Sequence, residues 1–266
     1  MAPYKNKKVD LSFSIVTYNN ESIIVDCLNS IFNTIQKRIR FEVFVVDNAS
    51  SDNTVNNIKK NFASVNLISN NENIGFGRAH NISFKQSKGD FFLVMNPDII
   101  LKKGTVEKLI NYMKKNKEIG IISPKILNRD GSVQFLCKRY PTLLDLFLRW
   151  IKTPLITYFF NKRLDFYVMK NIGYDNIMEV ENMTGAFMLI KREAFEKVGG
   201  FDENLFLYFE DTDLSRRISK HYKIIYYPYA EVTHLWNKAH YRNLRMFLYY
   251  IKSMIYYFNK WGWKIS

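Results

Sequence analysis

The chain has 266 residues, 47% of them hydrophobic, which is enough to bury one good core as a large domain or as a domain with an appendage. Its 39 Lys and Arg against 25 Asp and Glu leave +14, which favours an anionic partner; the surplus is dispersed lysine without an Arg-rich block or zinc-finger spacing, so no nucleic acid is expected. Cys27 and Cys137, far apart, suit a reducing compartment, and neither a signal peptide at the N-terminus nor an apolar run of about 18 residues for a transmembrane helix is found.

Leu11 to Thr17 reads as a short strand, broken by Tyr18-Asn-Asn-Glu-Ser22. Ser22 or Asn20 is placed to cap a helix through about Ile35, with Ile23, Ile24, Cys27, Leu28 and Ile31 on one face. Phe41 to Val46 is a second strand, ending in Asp47-Asn-Ala-Ser-Ser-Asp52, and a helix follows from about Thr54 to Phe62. Val65 to Ser69 is a third strand. Asn73-Ile-Gly-Phe-Gly-Arg-Ala-His-Asn81 is a glycine-containing turn entering a helix to about Lys88, and Phe91 to Met95 is a fourth strand. This alternation predicts a doubly wound, mostly parallel α/β sheet with helices on both faces and its ligand site at the C-terminal ends of the strands.

Those ends are polar. Thr17, Tyr18 and Asn19 follow the first strand, Asp47, Ser50 and Asp52 the second, and Asp98 the fourth. Singly, each is an ordinary turn or cap residue; together they set hydroxyls, amides and three acids on one sheet edge. Asp47 is suited to accept a hydrogen bond from a nucleobase N–H, Arg78 to face phosphate oxygens, and Asp98 to hold a metal on a diphosphate. The turn at Gly75-Phe-Gly77 lacks the third glycine of a dinucleotide fingerprint, and no Gly-Lys-Ser/Thr follows it as in a P-loop.

Thr105 to Lys117 reads as an amphipathic helix and Ile119 to Ser123 as a strand, with Ser132 to Leu136 closing a hairpin after the turn at Asn128-Arg-Asp-Gly131. Tyr140 to Asn171 is an apolar, aromatic and basic insertion, either a subdomain covering the sheet or a lip touching membrane or acceptor. A turn at Thr184-Gly185-Ala186 leads into a strand, its small residues allowing close approach of a ligand. Lys191 to Val198 is a helix stopped by Gly199-Gly200.

Phe206-Leu-Tyr-Phe-Glu-Asp-Thr-Asp-Leu214 then carries Glu210, Asp211 and Asp213 among aromatics, where partial burial raises a carboxylate's pKa and suits it to take a proton. Acids in a first turn are equally a helix-start signal. Lys223 to Tyr227 and Val232 to Trp236 read as two strands, the second carrying His234. Tyr241 to Trp263 is a basic aromatic helix with Phe247, Tyr250, Ile251, Met254, Phe258 and Trp261 on one face, packed on the domain or lying on anionic lipid.

Six of these stretches, in order, resemble the family 2 glycosyltransferases of GT-A fold: Val16-Thr-Tyr-Asn19, Val46-Asp-Asn-Ala-Ser-Ser-Asp52, Asn73 to Asn81, Asn96-Pro-Asp98, Thr184-Gly-Ala-Phe187 and Phe209-Glu-Asp-Thr-Asp-Leu214. With Arg139-Tyr-Pro-Thr142 and the insertion, the chain looks most like bacterial rhamnosyltransferase-like members that build cell-surface polysaccharide. The resemblance covers about Leu11 to Trp236. It implies a catalytic domain over 1–236, with a nucleotide-binding half to about 98, an acceptor half over 99–236 with the insertion at 140–172, and a C-terminal helix over 237–266 as a membrane-surface anchor.

The resemblance also implies roles. Thr17, Tyr18, Asn19, Asp47, Asp52, Gly75, Arg78 and Asn96 match nucleotide-side positions, Asp98 a Mg²⁺ or Mn²⁺ ligand, and His234 an additional metal ligand. Glu210 and Asp211 match the catalytic pair, with Asp211 the general base, and Gly185, Ala186 and Asp213 lie on the acceptor side. Asn96 stands where the family's Asp-X-Asp motif has its first acid. The expected partners are a dTDP- or UDP-sugar donor, a saccharide or lipid-linked acceptor, and peripheral contact with the cytoplasmic face of the inner membrane. A nucleotide-binding, membrane-docking module without turnover leaves the acids at 210 and 211 without a task. A nucleotidyltransferase usually has a Gly-rich basic loop after the first strand, where this chain has Tyr18-Asn-Asn-Glu21.

Overall fold

The computed structural model describes residues 8–151, 153–235 and 244–266, without the side chains of 154–157. The expectations for the N-terminal segment, for Trp236 and for the helix start at Tyr241 lie outside the described residues.

The first half follows the predicted alternation. Strands β1 (Leu11–Thr17), β2 (Phe41–Asp47), β3 (Asn66–Ser69) and β4 (Phe91–Met95) run parallel in the order β3-β2-β1-β4. Helices α1 (Ile24–Thr34), α2 (Thr54–Asn61) and α3 (Phe76–Gln86) make the crossovers. The side-chain alternation sorts β4 between two layers: Phe91, Leu93 and Met95 join the core that includes α1, while Phe92 and Val94 join the core on the opposite face. Helix α1 starts without a side-chain cap; its first turn instead uses the Asn20 carbonyl, which accepts the Ile23 and Ile24 N–H groups.

The second half is mixed. It holds β5 (Ile99–Leu101), α4 (Thr105–Lys115), β6 (Ile119–Leu127), α5 (Leu143–Ile151), α6 (Pro154–Tyr167), β7 (Met178–Glu179), β8 (Phe187–Lys191), α7 (Arg192–Lys197), α8 (Glu210–Ile218), β9 (Lys223–His234) and α9 (Leu244–Trp261). The sheet continues β4-β8-β6-β9-β5, with β7 on β9. Strand β8 is antiparallel to both β4 and β6, so the parallel expectation holds for the first four strands and gives way beyond them. Because β8 runs against β4, its preceding turn lies at the C-terminal end of β4, where the Asn96 N–H reaches the Ala186 carbonyl at 3.0 Å.

Two local expectations are corrected. The strands expected at Lys223 to Tyr227 and from Val232 are one strand, β9, which pairs with β6 on both sides of a bulge holding Pro228, Tyr229 and Ala230. A bulge leaves residues out of the ladder, so proline's missing N–H costs nothing there. The hairpin expected at Ser132 to Leu136 is cut short: β6 extends to Leu127, and after the turn the returning chain makes one antiparallel bridge, Leu127 to Val133, flanked by bonds from the Asn128 N–H to the Ser132 carbonyl and from the Gln134 N–H to the Ile126 carbonyl, without forming a strand of its own.

A third, smaller apolar cluster ties the periphery to the acid helix. Leu146 of α5 and Tyr257 and Phe258 of α9 pack with Leu205 and Phe209, directly before α8. The inner face of α9 therefore packs on the domain, while Leu244, Phe247, Leu248 and Ile255 remain exposed.

Candidate active site

One side of the candidate site is assembled from the strand ends. Thr17 and Asp47 are register partners closing β1 and β2, and Thr17 Oγ1 donates to Asp47 Oδ1 at 3.0 Å. The Ser50 N–H donates to Asp47 Oδ2 at 2.9 Å, so the carboxylate is buried and oriented by its own loop. Asn19 adopts a left-handed φ of 56°, tolerated by asparagine, and cross-links the loops: its N–H donates to Ser50 Oγ and its Oδ1 accepts the Ser51 N–H. Burial works against the charge on Asp52, but bonds from Thr54 Oγ1, the Thr54 N–H and the Glu21 N–H hold its pKa below the ordinary value. Tyr18 is left half-exposed at the rim, its ring free of this network and suited to stacking on a base.

Gly75 is required by space and conformation. Its φ is +90°, and a Cβ there would sit 2.4 Å from the Phe206 carbonyl oxygen. The Phe76 N–H donates to that oxygen at 3.0 Å, and Asn48 Nδ2 donates to the Gly75 carbonyl at 3.2 Å. The glycine turn thus bridges the Asp47 loop and the segment entering the acid helix. Arg78, in the first turn of α3, makes an exposed 3.4 Å ion pair with Glu203, which leaves its guanidinium readily exchanged onto another anion.

Asp98 and His234 meet although 136 positions separate them, because β5 pairs with β9 and Ile99 is opposite His234. Asp98 Oδ1 and His234 Nε2 face each other at 3.2 Å, both buried and without the alignment of a hydrogen bond. Gln134 orients the ring: its Oε1 lies 2.9 Å from His234 Nδ1 and its Nε2 donates to the His234 carbonyl. No group of three or more metal-ligating side chains occurs among the described residues. One carboxylate and one imidazole fit a cation completed by substrate phosphates, the way Mg²⁺ is usually held. Asn96 contributes its main chain to the β8 turn.

The acids of α8 have separate environments. Asp211 is half-buried; its Oδ2 accepts the Gly185 N–H at 3.0 Å and its Oδ1 the Thr212 N–H at 2.7 Å. Gly185 admits no side chain without crowding, since a Cβ would meet Phe76 at 3.1 Å and Asp211 Cβ at 3.6 Å. Gly185 and Ala186 are themselves buried, and join Asp211 to Asn96 through their main chain. Glu210 is buried, with Oε2 lacking a hydrogen-bond partner among the described residues. Burial, and then the adjacent Asp211 charge, pushes its pKa up to about 8, so it is mostly neutral at pH 7.

Asp213 does not face an acceptor. It is fully buried and accepts from Arg217 Nε at 2.7 Å and Trp261 Nε1 at 2.8 Å, with Lys260 Nζ 2.8 Å away. Its task is to bind α9 to α8, since a buried carboxylate persists only when paired. Sequence reasoning missed Gln134, Asn48 and Lys138. Lys138 is half-buried, and burial, then the Arg149 charge, brings its pKa down to about 8, while Asp211 and Glu210 pull it upward. No local pattern distinguishes these three from surface polar residues.

The sequence model of the family described as "Glycosyl transferase family 2" matches residues 12–199. A Mycobacterium tuberculosis N-acetylglucosaminyl-diphospho-decaprenol L-rhamnosyltransferase is 30% identical over 216 residues, 74% of this chain and 67% of that protein. The rhamnosyltransferase WbbL of Escherichia coli K12 is 27% identical over 232 residues, 82% of this chain and 81% of that protein. Among solved structures, the mannosyltransferase PcManGT from Pyrobaculum calidifontis in complex with GDP-Man and Mn²⁺ superposes with a TM-score of 0.61 at 19% identity. That match covers 90% of this chain and 61% of the other, and its likeness is one of fold.

Proposed function

Since the chain belongs to glycosyl transferase family 2, we propose that it moves a sugar, with rhamnose the first choice, from a dTDP- or UDP-sugar to a hydroxyl of a lipid-linked saccharide. The acceptor class follows the mycobacterial relative, whose name specifies an N-acetylglucosaminyl-diphospho-polyprenol. Transfer would take place in cell-surface polysaccharide synthesis, at the cytoplasmic face of the membrane. Among the described residues no helix is long and apolar enough to cross a bilayer, and the contact proposed is peripheral, through the exposed face of α9.

The observation that carries this reading is the Gly185–Asp211 bond. It fixes a half-buried carboxylate at the sheet edge where Thr17, Asp47 and Asn96 end their strands. Asp211 removes the proton from the acceptor hydroxyl. The oxygen bonds to the anomeric carbon from the face opposite the nucleotide, the bond from that carbon to the diphosphate oxygen breaks, and the diphosphate leaves with the electron pair, inverting the centre. Asp47 accepts from the base N–H, Tyr18 covers the ring and Arg78 exchanges Glu203 for phosphate oxygens. Glu210, held mostly neutral by burial, adds little further charge beside Asp211. Asp98 and His234 would hold Mg²⁺ or Mn²⁺, which when bound offsets charge on the leaving diphosphate.

The test is a thermal-shift screen with dTDP, UDP, GDP and CDP, each with Mn²⁺ and with EDTA. A metal-dependent shift with dTDP or UDP is expected. No shift with any nucleotide would refute the donor site, and equal shifts with and without EDTA would refute the metal.

A further inference from the structure

An apolar groove of about 460 Å³ runs between α5 and α9, lined by Leu143, Phe147, Trp150, Tyr250 and Met254 among others. Its size is that of a small-molecule site, and its rim leaves Phe147 54% and Trp150 67% exposed. A contiguous apolar face held open to water marks a surface that meets an apolar partner. The groove also reaches toward the acids. Tyr250 in its wall lies 5.4 Å from the ring of Phe209, the residue before Glu210, and 5.5 Å from Tyr208. Tyr208 and Phe209 hold φ values of 69° and 65°, a conformation costly for aromatic residues and sustained by such packing.

Two cations lie on segments that connect α5 with the acids. The Arg149 guanidinium of α5 lies over the Tyr167 ring at 5.3 Å, and the Tyr167 carbonyl accepts the Arg139 N–H at 2.9 Å. The adjoining Lys138 pairs its main chain with Asn182, whose Nδ2 donates to Thr212 Oγ1 at 2.9 Å, next to Asp211. Lys138, linked through Asn182 to Thr212, and Arg149, over the Tyr167 ring, are both half-buried, and neither forms an ion pair among the described residues. Two half-buried cations of this kind suit an anionic ligand of more than one charge.

Resting on the lipid-linked acceptor proposed above, we infer that the α5–α9 groove seats the isoprenoid chain of that acceptor, with its diphosphate against Lys138 and Arg149 and its sugar hydroxyl at Asp211. A hydrocarbon chain matches a concave apolar channel, and a diphosphate matches cations that form no ion pair among the described residues: Arg149 on the groove's own helix α5, and Lys138 on the segment that leads through Asn182 to Thr212 beside Asp211. Simple adsorption to a bilayer uses neither the channel nor these two cations.

The test uses the full chain and geranylgeranyl diphosphate at monomeric concentration, measured by calorimetric titration. Saturable binding is expected, weakened about ten-fold or more by the surface double substitution Phe147→Ser/Trp150→Ser, with UDP and dTDP affinities unchanged. Lys138→Met should remove the preference for geranylgeranyl diphosphate over geranylgeraniol. Equal binding by all variants overturns the seat. So does a double variant that loses only adsorption to phosphatidylglycerol vesicles, which makes the face a bilayer contact. Transfer to a prenyl-diphosphate sugar that proceeds equally in the double variant also overturns the seat and leaves the acceptor class standing. Transfer only to a lipid-free saccharide, with no prenyl diphosphate bound, refutes the acceptor class and the seat with it.

Discussion

Asp47 and Asp211 are both carboxylates of the site, yet they are held in different ways. Asp47 takes its bonds from Thr17, its register partner in the next strand, and from Ser50, three residues along its own loop. Asp211 is held by Gly185, from the turn before β8, and its helix is braced by Lys260 and Trp261 of α9 through Asp213. The proposed donor side is a property of neighbouring strand ends, whereas the acid side is assembled from segments remote in the chain. Damage to the first should act on nucleotide affinity; damage to the second should act on turnover and on folding together, unless the residue is the base itself.

The base gives the largest expected effect. Asp211→Asn should lower kcat about 10²–10⁴-fold and leave nucleotide affinity unchanged, measured by steady-state kinetics beside a nucleotide titration. More than about a tenth of the activity remaining would remove Asp211 from that role. Asp213→Asn comes next and sharpens the contrast, because it touches no substrate. Removing one member of a buried pair leaves Arg217 and Lys260 facing a neutral group, at a cost of about 3–5 kcal/mol in denaturant unfolding. Unchanged stability would mean that α9 does not brace the acid helix.

Asp98→Ala should weaken donor binding in Mn²⁺ about 10–100-fold and abolish its sensitivity to EDTA, with folding intact. The smallest effect at neutral pH belongs to Glu210→Gln. The folded pKa of Glu210, about 8, lies above its unfolded value of 4.5. Its neutral form therefore supports the fold fully below the unfolded value, and that support is lost as pH rises through about 8. Across this range the Tm of the wild type should fall more steeply than that of Glu210→Gln, measured by differential scanning calorimetry. Parallel curves would show that Glu210 ionises as easily in the folded chain as in the unfolded one.

The same contrast explains what was legible beforehand. Thr17, Asn19, Asp47 and Asp52 could be picked out because each ends a strand visible as an apolar run or lies in the loop after it, and strand ends of a parallel sheet share one edge. Asp211 was legible as one of three acids within four residues, but apart from the family resemblance nothing in that stretch separates Asp211 from Asp213. The separation is made by helix geometry and by α9: one acid faces Gly185 and the other is covered by Trp261. The bulge at Pro228 was misread as a break because a proline signals an end to regular pairing, whereas here β6 resumes pairing beyond it.

By itself, then, the sequence determined the four parallel strands, their crossovers and the polar loops at their ends. These rest on short-range periodicity and on turns adjacent to the strands, where the preferences of a few consecutive residues decide the outcome. Only the tertiary structure decided that β8 runs against β4, that β5 and β9 pair so as to bring Asp98 to His234, that Asp213 braces α9, and that Lys138 is tied through Asn182 to the helix of the acids. Each of those depends on which distant segments bury their apolar faces against one another, and that free energy is set by the packed whole, with no trace in any local run of residues.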